Sequence, residues 1–541
     1  MNKRKKSAKD IWQQYQNGLD YLNRFDYFKR TEDSFRFFNG EQWDGVATAD
    51  SALPSYNILK PIVEHKLSIV AKNTMTINYS STNYNSNYAY FSSICKKLNA
   101  HAKKTWDRLK LDKLSWDMLL DSAICGNAFA YYYWDAGQIN LELVDATNIF
   151  FADEQQRDIQ KQKYIIVSQR LYVEDIRKIA KANKVVKDEI DMILSDEDTS
   201  TQLGEKAKRE VDNEDLGKCT CLLKMWKEDG VVCYSKSVKN VIYQPDTRIE
   251  GLSLYPIAHM TWLNEKGTCR GGGEVFQRIP NQIEINKSLA RYLVAIKQYA
   301  YPHLIYDKSM LSKESVNNLS LIGANIAIAS NRLTNVTDAI GYLEPAQINP
   351  MAQEIILQMT QTTRELAGAS DAATGQIDPE KTSGAAIIAV RDASAVSLNQ
   401  QIASYKEFIE DFARIWFDMW VAYNPNGLRV VIEDEVDGSL VDAREELIDA
   451  ESLKRMKVDI RIDISPSNPY SKYAQEQALQ NLFTMKAITF EEYVNSLDDD
   501  ATSPKEKLKE ILKERKAVQL QEAILQNINE SMVGMNPLVS G

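Results

Sequence analysis

The chain has 541 residues, 44% of them hydrophobic and 26% charged, with a formal net charge of -10. That is enough apolar material for several cores, and an acidic balance that excludes a molecule gripping nucleic acid over its whole surface, so any such contact must be local. The basic opening MNKRKKSAKD reads as a solvated terminus more readily than as a nucleic-acid contact; the residues after it lack the apolar run of a signal peptide, and with no stretch of about 18 uncharged apolar residues no membrane span is expected.

Cys95, Cys125, Cys219, Cys221, Cys233 and Cys269 are scattered without paired CxxC knuckles, so free thiols are expected and a zinc site is not. His65, His101, His259 and His303 are isolated, without an HExxH or triad pattern.

In chain order, Ile11, Tyr15, Leu19, Leu22, Phe25 and Phe28 recur every three or four residues and predict a helix over 8–40, stopped by the glycines of FFNGEQWDG. YNILKPIVEHKLSIVAKNT is a second amphipathic segment, and ICKKLNAHAKKTWDRLKLDKLSWDMLLDSAICGN a third, longer one. The period then changes, and AFAYYYWDAGQINLELVDATNIFF reads as a hairpin. KYIIVSQRL is a strand, VEDIRKIAKAN a short helix, and the charge-dense residues 186–217 a mobile excursion. CTCLLKMWKEDGVVCYSKSV gives two strands around EDG, and LYPIAHMTW a further strand.

RGGGEVFQRIPNQIEINKSLARY places a glycine run before a helix. This could form a phosphate nest, but the spacing is not GxGxxG, and a sharp bend is the preferred reading, with Pro280 kinking the helix or setting its start. Residues 301–345 read as a small α/β insertion, and a helix returns in NPMAQEIILQMTQTTRELAGAS. After a polar loop, AAIIAVRDASAVSLNQQIASYKEFIEDFARIWFDMWVAYNPNG predicts the longest helix, roughly 50 Å, with Leu398, Ile402, Tyr405, Ile409, Phe412, Trp416 and Met419 as its buried stripe. GLRVVIE and KVDIRIDIS are strands. Between them EDEVDG fails as an EF-hand because Arg444 stands at the twelfth loop position. Asp498, Asp499 and Asp500 precede Ser503, Pro504 and Glu506, which read as a helix start rather than a metal site, and helices continue from Ser471 onward.

The polar loop SDAATGQIDPEKTSGAA is one residue from a P-loop: Gly375, Lys381 and Thr382 fit, but Glu380 replaces the second glycine. A carboxylate there would oppose the phosphates, Pro379 removes an N–H donor, and the preceding segment reads as helix instead of strand. What remains is a stiffened acidic loop between two helices.

FFNGEQWDG after a leading helix, GNAFAYYYWD, GGGEVFQRIPNQIEINKSLARY, ELAGASDAATGQIDPEKTSGAAI before a long helix, and PSNPYSKYAQEQALQNLF occur in an order that resembles the portal proteins of tailed bacteriophages. The likeness leaves out residues 186–217 and the last few dozen. It implies an α+β, mainly α subunit with no catalytic, cofactor or metal residues. Its parts would be a wing (1–273), a first stem helix (274–300), a clip (301–345) and a second stem helix (346–369). A tunnel loop (370–384), a long wing helix with strands (385–465) and a helical crown with the tail (466–541) would follow. The resemblance implies a dodecameric ring at a capsid vertex of the virion, assembled in the host cytoplasm. Double-stranded DNA would pass through it for packaging and ejection. Its partners would be the terminase large subunit, capsid and scaffolding proteins and a head–tail adaptor. The tunnel-loop residues expected to face DNA are Thr374, Gly375, Gln376, Asp378, Glu380, Lys381, Thr382 and Ser383, with Lys381 making transient phosphate contacts. A heterologous interface that closes gives such a ring, and an acidic chain suits sliding DNA, since each cation–phosphate contact is a trap. The alternatives are a structural or adaptor protein without a ring, and a nucleotide hydrolase using residues 375–382.

Overall fold

A computed structural model of the chain describes residues 7–43, 53–82, 88–196, 217–299, 303–311, 313–318, 323, 325–328, 340–343, 351–369, 396–436, 439–456, 458–466, 479–497, 507–508 and 511–512. The chain divides into two compact units, Met1–Val70 with Ile77–Ile462, and Ala71–Thr76 with Asp463–Gly541. The architecture is α+β, as expected.

In the first unit, α1 (Ala8–Arg24) begins at a capping box in which Ser7 and Asp10 each accept the other's backbone N–H. The single helix expected over 8–40 is two. Asp26 adopts a left-handed backbone (φ 51) before α2 (Tyr27–Asn39), and Phe25, one of the apolar residues at helical spacing, is 56% exposed beside this break. α3 (Leu59–Ala71) is followed by a strand that helical periodicity hides, β1 (Asn73–Ser81), in which Met75, Ile77 and Tyr79 are buried in alternation. The third helical region also divides, at Lys110 (φ 53), into α4 (Tyr88–Leu109) and α5 (Leu111–Cys125).

β2 (Asn127–Asp135) and β3 (Gln138–Val144) form the expected hairpin through Ala136 and Gly137, both at positive φ. The NIFF segment assigned to that hairpin instead forms β4 (Ile149–Phe151), which opens a second sheet with β5 (Tyr164–Tyr172). α6 (Val173–Ala182) follows as expected. The first part of the excursion expected over 186–217 is folded: it holds α7 (Lys187–Asp191), with Ile190 and Ile193 buried against Val173, Ile176, Cys219, Cys221 and Tyr243. Residues 197–216 lie outside the described residues.

β6 (Lys218–Glu228), β7 (Val231–Ser237) and a strand missed in sequence, β8 (Ile242–Arg248), complete an antiparallel five-stranded sheet in the order β4-β5-β6-β7-β8. β9 (Ile257–Thr261) pairs with β2 to give the sheet β3-β2-β9. β10 (Leu263–Asn264) pairs with β11 (Gly271–Gly272), and α8 (Ile279–Tyr299) follows with Pro280 in its first turn, where the missing N–H costs nothing. β12 (His303–Tyr306), α9 (Lys313–Asn318) and β13 (Ile340–Leu343) precede α10 (Met351–Leu366).

α11 (Asn399–Tyr423) is the long helix. Its described start is 14 residues later than the expected Ala385, residues 385–395 lying outside the described ones, and its 25 residues extend about 37 Å. Of the expected stripe, Leu398, Tyr405, Ile409, Phe412, Trp416 and Met419 are buried, but Ile402 is half-exposed and Phe408, Ile415 and Trp420 take part in its place. It packs on β2: Tyr132 sets its edge against Phe412 (5.3 Å), and Trp134 stacks on Tyr423 (4.9 Å, 1°). The acidic stretch after β14 (Leu428–Val436) continues as a second strand, β15 (Ser439–Ile448), also missed in sequence, with Arg444 opposite Ile432. α12 (Ala450–Arg455), capped by Asp449, leads to β16 (Val458–Pro466).

In the second unit, residues 479–484 are helical, and α13 (Phe490–Ser496) begins on a Thr489–Glu492 capping box, with Phe483 stacked on Tyr493 (5.3 Å). The acidic run 498–500, the expected helix start at 503–506 and the tail beyond 512 lie outside the described residues.

Candidate functional site

α8 and α10 lie side by side in opposite directions. Near one end Asn281 Nδ2 donates to Thr363 Oγ1 (3.3 Å). Beyond the other end β12 and β13 pair antiparallel, His303 opposite Leu343 and Tyr306 opposite Ile340. Residues 307–339 are therefore an excursion closed by a two-stranded ribbon.

The start of α8 is fixed by buried polar groups. Glu274 accepts from Lys66 Nζ (2.8 Å) of α3, Arg278 Nη1 (2.6 Å) and Trp262 Nε1 (2.9 Å). Burial alone would raise its pKa, but the two cations outweigh burial and hold it below the usual carboxylate range. Lys66 lies below its ordinary value because burial outweighs the one carboxylate, which it shares with Arg278. One turn on, Gln282 and Asn286 are spaced i, i+4 and both buried. Gln282 Oε1 accepts from Ile58 N (3.1 Å) while its Nε2 donates to the Tyr56 carbonyl (2.7 Å). Asn286 Nδ2 donates to Gln42 Oε1 (2.6 Å). Each amide uses both a donor and an acceptor, so sliding α8 by one residue would leave several buried groups unpaired, at about 1–3 kcal/mol each.

Below this joint, Arg270 is buried in a two-pronged ion pair with Glu154 (2.9 Å for Nε–Oε2 and Nη2–Oε1) and also donates to the carbonyls of Ala146 and Ile149 (2.7 Å each). Burial opposes its charge, but Glu154 and Tyr27 outweigh burial and raise its pKa. The glycine run brings two stretches of backbone into contact. A Cβ on Gly126 would strike the Gly271 backbone and one on Gly273 the Ile124 carbonyl, so these glycines let two backbones touch.

α10 ends at Gly368 (φ 73), with Ala367 and Ala369 buried against Ile62 of α3. α3 thus meets both the start of α8 and the end of α10. Ser370 to Ala386, including Thr374, Gly375, Gln376, Asp378, Glu380, Lys381, Thr382 and Ser383, lies outside the described residues. The element before it is the helix α10, not the strand a P-loop requires. Among the described residues no group of three or more His, Cys, Asp or Glu could hold a metal ion, and no helix is long and apolar enough to cross a membrane.

Four apolar side chains of α10 face away from this packing: Met351 is 60% exposed, Ile355 47%, Leu357 63% and Leu366 77%. The sequence model of the phage P22-like portal protein family matches residues 12–528. The chain belongs to that family. No curated protein matches it in direct sequence comparison. The match takes in 186–217 as well, which the likeness of sequence segments left out, and gives this portal protein its role in a phage particle.

Glu274, Gln282 and Asn286 escaped the sequence reading. The polar i, i+4 pair inside an otherwise apolar helix face was the available signal.

Proposed function

We propose that copies of this portal protein close into a ring whose channel conducts double-stranded DNA during packaging and ejection, and that the ring joins head to tail at a capsid vertex. Twelve subunits are expected from the family. The supporting observation is the α8–α10 pair: held at one end by buried polar groups, it presents Met351, Ile355, Leu357 and Leu366 to solvent in the single chain. Exposed apolar side chains along a rigid helix are surface that a neighbouring subunit can bury.

In this reading α8 and α10 are the stem, and residues 301–345, with their two-stranded ribbon, are the clip, where a separate terminase ATPase docks. Residues 370–384 are the loop facing DNA, and α11 returns into the wing. The segment from 466 is the crown. Capsid and scaffolding proteins and a head–tail adaptor are the remaining partners.

Electron microscopy of the purified protein tests the assembly: closed rings with a central channel are expected, and monomers or filaments under all conditions would refute it. Deleting 374–382 should leave the rings intact and lower DNA packaging or retention; unchanged packaging would remove the loop from this role, and unchanged packaging by Lys381→Ala would remove its phosphate contact.

A further inference from the structure

Within this acidic chain, the described residues include a concentrated basic surface. Between residues 96 and 113 it carries Lys96, Lys97, Lys103, Lys104, Arg108, Lys110 and Lys113 against Asp107 and Asp112. Lys97 is paired with Glu446 (2.5 Å), and Arg108 reaches the carbonyl of Ile139 and the side chain of Asn140. Lys104 is engaged as well, and four lysines remain. Lys96 and Lys103 stand two turns apart on the exposed side of α4, opposite the buried Ile94, Leu98, Ala102 and Thr105. Lys110 occupies the left-handed turn into α5, and Lys113 lies in the first turn of α5. Among the described residues none of these four ammonium groups has a carboxylate within ion-pair distance.

From Lys96 to Lys110, along α4, the row spans about 20 Å at the helical rise. At its far end α5 has no side-chain cap, so its free N–H groups add the partial positive charge of a helix N-terminus. Two acids offset it in part: Asp107 shares the side of Lys103, and Asp112 accepts from the neutral Trp106 Nε1 (2.8 Å). His101, on the same helix, is held down to about 4, first by burial and then by Arg108 and Lys104.

We propose that Lys96, Lys103, Lys110 and Lys113 bind the phosphate backbone of duplex DNA, and do so without help from residues 370–384. A duplex presents one charge per about 1.7 Å of its axis, so four ammonium groups in a row meet phosphates in any register without reading sequence. A folded protein partner suits the row less well, because the energetic centres of protein interfaces are aromatic or arginine-rich and depleted of lysine, and the exposed aromatics Tyr90 and Trp116 stand beyond its two ends in sequence.

The test is binding of a mixed-sequence duplex to the full chain across a salt series. Changing the four lysines to Gln should weaken binding at least tenfold near 0.1 M salt and lower the slope of log K against log salt by about 2–4. A charge-matched control, Lys178, Lys181, Lys184 and Lys187 to Gln, should change it less than twofold. Equal losses in both variants, or no duplex binding by the unaltered chain, would overturn the proposal, and retention of an acidic polypeptide instead of DNA would reassign the row to a protein. Binding should be the same with residues 374–382 deleted, and in unassembled chains, so failure of the channel reading gives a different result from failure of this one.

Discussion

The body around β2 to β9 and the α8–α10 pair solve opposite problems. The body closes on itself. Backbones touch at Gly126 and Gly273, Arg270 is satisfied by Glu154 and two carbonyls, and Tyr132, Phe412 and Trp416 are sealed between sheet and helix. The pair is closed only at its ends, by Gln282 and Asn286 at one and the β12–β13 ribbon at the other, and leaves apolar side chains uncovered between them. A region complete in one chain has its stability written in its own contacts. A region left open has part of its stability in another molecule.

This contrast can be broken at four points. The largest effect is expected from Gly273→Ala, whose methyl would enter the Ile124 carbonyl in a place where both backbones are buried; a loss above about 5 kcal/mol should appear as absence of soluble folded chain. Glu274→Gln, which leaves Lys66 and Arg278 without their anion, should cost about 3 kcal/mol in denaturant unfolding and loosen α8, read as faster amide exchange at its first turns. Ile355→Glu with Leu366→Glu should change the unfolding of unassembled chain by less than about 0.5 kcal/mol while abolishing assembly in sedimentation; an equal loss of both would make the pair part of the self-contained core.

The smallest effect concerns pH. Asp121, in the body, is pushed up to about 7 by burial first and then by Asp145 and Asp117. The folded chain then holds a proton that the unfolded chain has released between pH of about 4 and 7, so this group makes stability fall as pH rises through that window. Asp121→Asn should flatten the decline, equal to the parent near pH 4 and more stable above pH 7, as measured by denaturant midpoints.

Most elements were legible in the sequence because their signals are local. The alternation around Tyr132, the EDG turn and the stripe of α11 depend on neighbours a few residues away. What escaped was set by distant contacts or by single backbone angles. Nothing local distinguishes Asp26 or Lys110 from ordinary helical residues, yet their left-handed conformations divide two expected helices. β15 pairs only with β14 in its described ladder and carries Asp442, Glu445 and Glu446, so it lacks the apolar alternation that marks a strand in sequence. The glycine run could not declare its purpose, because its partner, Gly126, is some 145 residues earlier. Of the loop chosen as the DNA-facing site, the sequence decided what it is not, through Glu380, Pro379 and the helix before it.

The β12–β13 ribbon has a consequence of its own. By bringing residues 303 and 343 together, it makes the geometry of the helix pair independent of how many residues lie between its strands. Lengthening a closed loop adds only about 0.6 kcal/mol per doubling of its length. A change in the number of residues between the two strands should therefore cost the helices on either side little of their register.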